Sequence, residues 1–157
     1  MQVLVAGDRG YLGAVLVPFL QAHGHRVVGL DAGWYDGCDF GVPPSDYEQR
    51  AETSCAARSA TERRTGDVRD AQPGDLAGID AVVNLAAISN DPVGHLNPEA
   101  TFSVNADGAV LLGRAAKAAG VERYVFASSC SLYGRAGDAP VDEDAPFNPV
   151  TPYGESK

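Results

Sequence analysis

Gln2-Val-Leu-Val-Ala6-Gly7-Asp-Arg-Gly10-Tyr-Leu-Gly13 decides the fold of this chain. The run Gln2–Ala6 is short and apolar and is broken at once by spaced glycines. It gives way to a stretch in which Leu12, Val15, Leu16, Phe19 and Leu20 recur at helical spacing, so the order reads strand, glycine turn, helix with a buried stripe. Glycines permit a tight turn, let backbone amides approach a pyrophosphate and let the helix pack closely on the strand; the helix N-terminus then faces the negative charge. Pro18 conflicts with this locally, because an interior proline removes the bond to the Ala14 carbonyl and costs about 3 kcal/mol. A kink is expected there, with the helix surviving.

Arg26–Leu30 reads as the second strand and delivers Asp31, eighteen residues after Gly13. A carboxylate at that point accepts hydrogen bonds from an adenine-ribose diol and repels a 2′-phosphate, which favours NAD over NADP. Arg9, beside the phosphates, partly offsets that repulsion and leaves mixed cofactor use open.

The far end carries the chemistry. Tyr153-Gly-Glu-Ser-Lys157 sets a phenol and an ammonium four residues apart, hence on one face of a helix, where the positive charge favours phenolate and suits the tyrosine to general-base work. Thr151-Pro152 reads as an N-cap followed by proline at the first helical position. Arg123–Ser128 reads as a buried strand, so Ser129 emerges at its carboxyl end, where open parallel sheets bind ligands. Phe102, Asn105, Ala109, Leu112 and Ala116 follow 3-4-3-4 spacing between Asn97-Pro98 and Gly120, which turns the Asn105 amide inward. Active-site support and plain core hydrogen bonding are equally open for it.

In this order the segments resemble the N-terminal half of an extended short-chain dehydrogenase/reductase, the NAD-dependent epimerase/dehydratase family acting mainly on nucleotide sugars. Gly66-Asp67-Val68-Arg69-Asp70, Asn84-Leu85-Ala86-Ala87, Val104-Asn105 with Gly108, and Phe126-Ala-Ser-Ser129-Cys-Ser-Leu-Tyr133-Gly134 extend the match. The resemblance implies an α/β fold, a Rossmann-type doubly wound parallel sheet that stops after about five strands, with residues 1–157 forming one NAD-binding domain. It implies a cofactor cleft made by Gly7, Arg9, Gly10, Tyr11, Leu12, Gly13, Asp31, Asp67, Val68, Leu85, Ala86, Ala87, Asn105, Tyr153 and Lys157, with Asp67 meeting the adenine. Ser129 would hydrogen-bond the reacting hydroxyl or carbonyl, Tyr153 would exchange its proton, and Lys157 would bind the nicotinamide ribose and tune Tyr153.

Cys130-Ser131 stands where sugar-dehydrating members carry an acidic pair, so 4,6-dehydration is disfavoured against epimerisation of a nucleotide sugar or a simple ketoreductase reaction. A non-catalytic dinucleotide-binding module is the reading from another class. Ser129, Tyr153 and Lys157 argue against it, since a binder needs no proton relay. Family members run to roughly twice this length, which makes the chain an expected fragment or one half of a split enzyme, inactive alone. Its expected partners are a nucleotide-sugar substrate and either a second copy or a complementing C-terminal portion, since family dimers often pack on the helices that carry Asn105 and Tyr153. Lys157, as the last residue, is expected to fray.

Composition sets outer bounds. A chain of 157 residues with 45% hydrophobic side chains suits one domain with its own core. A net charge of −9 argues against a nucleic-acid or anionic-membrane surface. Cys38, Cys55 and Cys130 lack disulfide or metal spacing, so no metal is expected and Cys130 reads as a small buried side chain; His23-Gly-His25 reads as a solvated loop. No apolar stretch is long enough to span a bilayer, and Met1 leads straight into a strand without a basic leader, so a cytoplasmic location is expected. Residues 32–58 keep no period and suggest a long functional or mobile loop. Ala60–Thr65 is too polar for an interior parallel strand and suggests a weak edge strand. Ile88–Gly94 leaves substrate contact and a plain turn equally open.

Overall fold

The computed structural model describes residues 1–36, 60, 62–89, 91–135 and 140–157. Its centre is a five-stranded sheet in the order β3-β2-β1-β4-β5, made of β1 (Gln2–Ala6), β2 (Arg26–Asp31), β3 (Glu62–Thr65), β4 (Ala81–Asn84) and β5 (Arg123–Phe126). Every pairing is parallel. All strands therefore present their carboxyl ends to one edge, and the connections between them must cross the faces.

β1 is the innermost strand, and its two faces feed two cores. Leu4 and Ala6, with Val28 and Val82, pack under Leu112, Ala115 and Ala116 of helix α4 (Gly108–Ala118). Val3 and Val5, with Val27, pack against Val17 of helix α1 (Tyr11–Ala22). Burial on both faces explains why β1 and β2 read as nearly continuous apolar runs rather than alternating ones.

Helix α1 runs through Pro18, so the helix survives as expected. Its buried stripe differs from the expected one. Gly13 and Val17 are the buried positions, Leu16 and Leu20 are half-buried, and Leu12, Val15 and Phe19 are 58%, 64% and 57% exposed. The close approach of Gly13 to the turn rolls α1 about its axis and aims these three away from the sheet.

β3 is an edge strand, as its polarity suggests. β5 is the other edge, which corrects the buried strand expected there: Arg123, Tyr124 and Val125 are exposed because β5 pairs only with β4 among the described residues. Ile88–Gly94 enters a short helix, α2 (Asp91–Leu96), instead of a plain turn. Asn97 caps helix α3 (Pro98–Phe102) by accepting from Ala100 N at 3.0 Å, as the Asn-Pro pair indicated. A π-helical turn over Ser103–Asp107 then joins α3 to α4, a feature the 3-4-3-4 spacing did not reveal. The residues from 37 to 58 in the expected long loop, with Cys38 and Cys55, lie outside the described residues. Among those described, no helix is long and apolar enough to cross a membrane, and no cluster of three or more His, Cys, Asp or Glu is placed to hold a metal.

Candidate dinucleotide and catalytic site

The glycine turn follows β1 directly. Gly7 has φ +84°, and a Cβ there would stand 2.9 Å from Ala86 N and 3.0 Å from the Leu85 carbonyl carbon; any side chain would separate β1 from the end of β4. A Cβ on Gly13 would lie 2.6 Å from the Asp8 carbonyl oxygen and closer still to that of Gly7, so the first turn of α1 can rest on this loop only as glycine. Gly10 caps α1 with no side-chain hydrogen bond, and the first turn carries no acidic residue. The N–H groups of Tyr11 and Leu12 thus meet solvent at the positive end of the helix, an arrangement suited to a phosphate group.

Asp31 closes β2 beside this turn. Its carboxylate accepts from Arg9 N at 3.2 Å and Gly33 N at 2.8 Å, one bond per oxygen, which fixes its orientation and leaves lone pairs for a diol. The Arg9 side chain does not point at the phosphate position. It is ion-paired to Asp36 and donates to Thr65 Oγ1 at 2.9 Å, two partners the sequence reading did not identify. Asp8 packs beneath the turn with its side chain 1% exposed, 3.4 Å from Arg63 Nε, and neither oxygen receives a hydrogen bond. Burial, opposed by Arg63, pushes its carboxyl above the usual range.

Asp67 and Val68 follow β3. The Arg69 guanidinium grips Asp67 at 3.0 and 2.6 Å and holds its carboxyl below the ordinary value, while Arg69 Nη1 continues to Ser103 Oγ at 3.1 Å. Val68 is buried against Gly108 of α4, where a Cβ would strike its methyl at 2.8 Å. Trp34, the single tryptophan, lies over Arg69 at 5.8 Å from the ring centroid. Leu85, Ala86 and Ala87 follow β4, half-buried, with Ala86 N bonded to Asn84 Oδ1 at 3.1 Å.

Asn105 sits in the π-helical turn, fully buried. Its Oδ1 accepts from Ile88 N at 2.8 Å, and its Nδ2 donates to the Ile88 carbonyl at 3.1 Å and to Ser156 Oγ at 2.9 Å. Ser156 Oγ donates in turn to the Tyr153 carbonyl at 2.8 Å. One amide thereby ties the segment after β4 to the helix that carries Tyr153. Ser156 was missed from sequence; its place one residue before Lys157 was the available signal.

Tyr153 opens helix α5 (Pro152–Glu155), capped as expected by Thr151 Oγ1, which accepts from Gly154 N at 3.0 Å. A Cβ on Gly154 would meet the Ser131 carbonyl at 2.8 Å, so α5 rests on the loop after β5 at glycine distance. Ser129 caps that loop, its Oγ accepting from Ser131 N at 3.2 Å. Cys130 is exposed, not buried, because this short helical turn faces it outward. Lys157 is not frayed. Its ammonium donates to the Ala127 carbonyl at 2.7 Å and stands 4.7 Å from the centre of the Phe126 ring, and burial lowers its pKa. Ser129 and Lys157 thus meet the same strand end.

Fold and site together define an α/β protein with the strand order and glycine turn of the Rossmann class. The model of the NAD dependent epimerase/dehydratase family matches residues 3–157, and the chain belongs to that family. It is 35% identical to a UDP-glucose 4-epimerase of Lactobacillus helveticus, over 100% of this chain and 44% of that protein. A UDP-glucose 4-epimerase of Mycolicibacterium smegmatis is also 35% identical, over 100% of this chain and 48% of its own length. Among solved structures, the UDP-glucose 4-epimerase of Stenotrophomonas maltophila, with NAD and formylated UDP-arabinopyranose bound, superposes with a TM-score of 0.80 at 32% identity, over all of this chain and 45% of that one. An NAD-dependent NDP-hexosamine 5,6-dehydratase of tunicamycin biosynthesis gives 0.81 at 26% identity, with 100% and 46% covered. The chain spans about half the length of the relatives it matches.

Proposed function

We propose that the chain is the cofactor-binding portion of an NAD-dependent nucleotide-sugar epimerase, working by Ser129, Tyr153 and Lys157, and inactive as 157 residues alone. One observation carries the reading: the glycine turn, Asp31, Asp67, Ala86, Asn105 and Ser129 all follow or adjoin the carboxyl ends of parallel strands, and Tyr153 and Lys157 are anchored to the same edge.

A dinucleotide suits these residues. Gly7 and Gly13 let β1, β4 and α1 close on the turn where a Cβ would strike backbone, the amides of Tyr11 and Leu12 would take the pyrophosphate, and Asp31 would accept from the ribose hydroxyls. Asp67 and Val68 would edge the adenine, with Leu85, Ala86 and Ala87 along the other side. Bound there, NAD supplies a reversible hydride acceptor for the sugar carbinol. As phenolate, Tyr153 takes the proton of the reacting sugar hydroxyl, becoming the phenol as hydride leaves the carbinol carbon, and gives the proton back when hydride returns; Ser129 Oγ holds the same oxygen by a hydrogen bond. Lys157, released from the Ala127 carbonyl to a ribose hydroxyl, keeps positive charge near the phenol. Exposed Cys130 and neighbouring Ser131 offer no acid for expelling water, which favours epimerisation over dehydration.

The test joins residues 1–157 to the C-terminal portion of the Lactobacillus relative and assays interconversion of UDP-glucose and UDP-galactose with NAD present. The fusion should turn over, the chain alone should not, and Tyr153→Phe in the fusion should lower kcat by about 10²-fold or more. Turnover by the chain alone, or a Tyr153→Phe fusion at the parent rate, would sink the reading.

A further inference from the structure

The end of the cleft beside Asp31 holds a cation with the wrong sign for NAD selection. Arg9 belongs to the phosphate turn, and its planar fork is a natural ligand for a 2′-phosphate. Here both Nη atoms already have partners: one pairs with Asp36 and the other donates to Thr65 Oγ1 at 2.9 Å, while the buried Nε has none. The backbone N–H of the same Arg9 donates to Asp31, so a single residue orients the carboxylate that reads the ribose while its own charge is led away to the rim. The chain makes room for this. Gly33 has φ +70°, and a Cβ there would lie 2.9 Å from both Arg9 Nη1 and the Asp36 carboxylate, so a side chain at 33 would wedge the pair apart.

Stability does not account for the pair. The Asp36 side chain is 57% exposed, and ion pairs at that exposure add little to a fold.

We propose that Asp36 is a cofactor-selecting residue: by holding Arg9 it withholds the cation that the phosphate turn itself offers to a 2′-phosphate, and so enforces the discrimination that Asp31 begins. The proposal rests on the dinucleotide reading above and deepens it, because Asp31 alone repels a phosphate, whereas Asp36 removes the group that would compensate. Asp36 is ion-paired to Arg9, and its backbone N–H donates to the Gly33 carbonyl at 3.1 Å. It acts through Arg9, and its effect belongs in the NADP-to-NAD affinity ratio.

The test titrates NAD, NADP and adenosine 2′,5′-bisphosphate into the chain, following the fluorescence of Trp34, for the parent, Asp36→Asn and the double variant Arg9→Gln/Asp36→Asn. Asp36→Asn should leave NAD affinity within about threefold and strengthen NADP and the bisphosphate by about tenfold or more, the scale of one hydrogen bond to a charged group. The double variant should lose that gain. An unchanged ratio in Asp36→Asn, or a gain that persists without Arg9, overturns the selector while leaving NAD binding intact. A parent that binds none of the three ligands overturns the dinucleotide reading and the selector with it.

Discussion

Asn105→Ala should be among the most damaging single truncations in this chain, although it removes no large apolar surface. Asn105 is fully buried and Ile88 nearly so, and three hydrogen bonds of 2.8, 3.1 and 2.9 Å are lost together. Alanine strands the Ile88 N–H and C=O in the interior, and each orphaned backbone group costs about 1–3 kcal/mol, so the total should be about 2–5 kcal/mol. Ser156→Ala is the internal comparison. It removes one partner of the same amide and should cost about 1 kcal/mol. Urea denaturation monitored by Trp34 fluorescence gives both values, and amide exchange at Ile88 gives the local one. Exchange there should accelerate sharply in Asn105→Ala and only slightly in Ser156→Ala. Because the amide also holds α5 through Ser156, exchange at Glu155 and Ser156 should rise in both variants. Loss of less than about 1 kcal/mol in Asn105→Ala, or unchanged protection of Ile88, would refute the view that this amide pins the segment after β4.

Gly13→Ala should destabilise by about 3 kcal/mol or more, since the new methyl meets backbone on both the Gly7 and Asp8 sides, whereas Gly74→Ala, with open space around it, should stay within about 0.5 kcal/mol; thermal melts of the pair decide it, and equal costs would refute the close approach of α1 to the turn. Asp8 makes the pH prediction. Burial raises its folded pKa above the ordinary aspartate value of 3.8, so its contribution to stability is fully present below 3.8 and lost as pH rises through the raised value. Asp8→Asn should therefore gain on the parent as pH rises from about 4 to 7 in urea melts, and a difference independent of pH would refute it.

What could be read from sequence was what is local. The Gly7–Gly13 turn, the Asn97 and Thr151 caps and the carboxylate at the end of β2 depend on residues a few positions apart, and all appear where expected. β3 was legible as an edge strand because its polarity has no place inside a parallel sheet. The roll of α1 was not legible, because periodicity gives an apolar face but not which part of it Gly13 turns toward the sheet. The π-helical turn was hidden for a related reason: it keeps Asn105 inward but buries Thr101, Val104 and Gly108 while Phe102 and Ala109 are only half-buried, a shift that no residue in the sequence marks. Arg9 with Asp36 and Asn105 with Ser156 join residues 27 and 51 positions apart, and no local pattern announces such pairs.

The most direct measurement is calorimetric titration of this chain with NAD and with NADP at one ionic strength. The cleft described by Gly7, Asp31, Asp67 and Asn105 predicts saturable binding of NAD, tighter than NADP by about tenfold or more. Absence of NAD binding, or a preference for NADP, would contradict it.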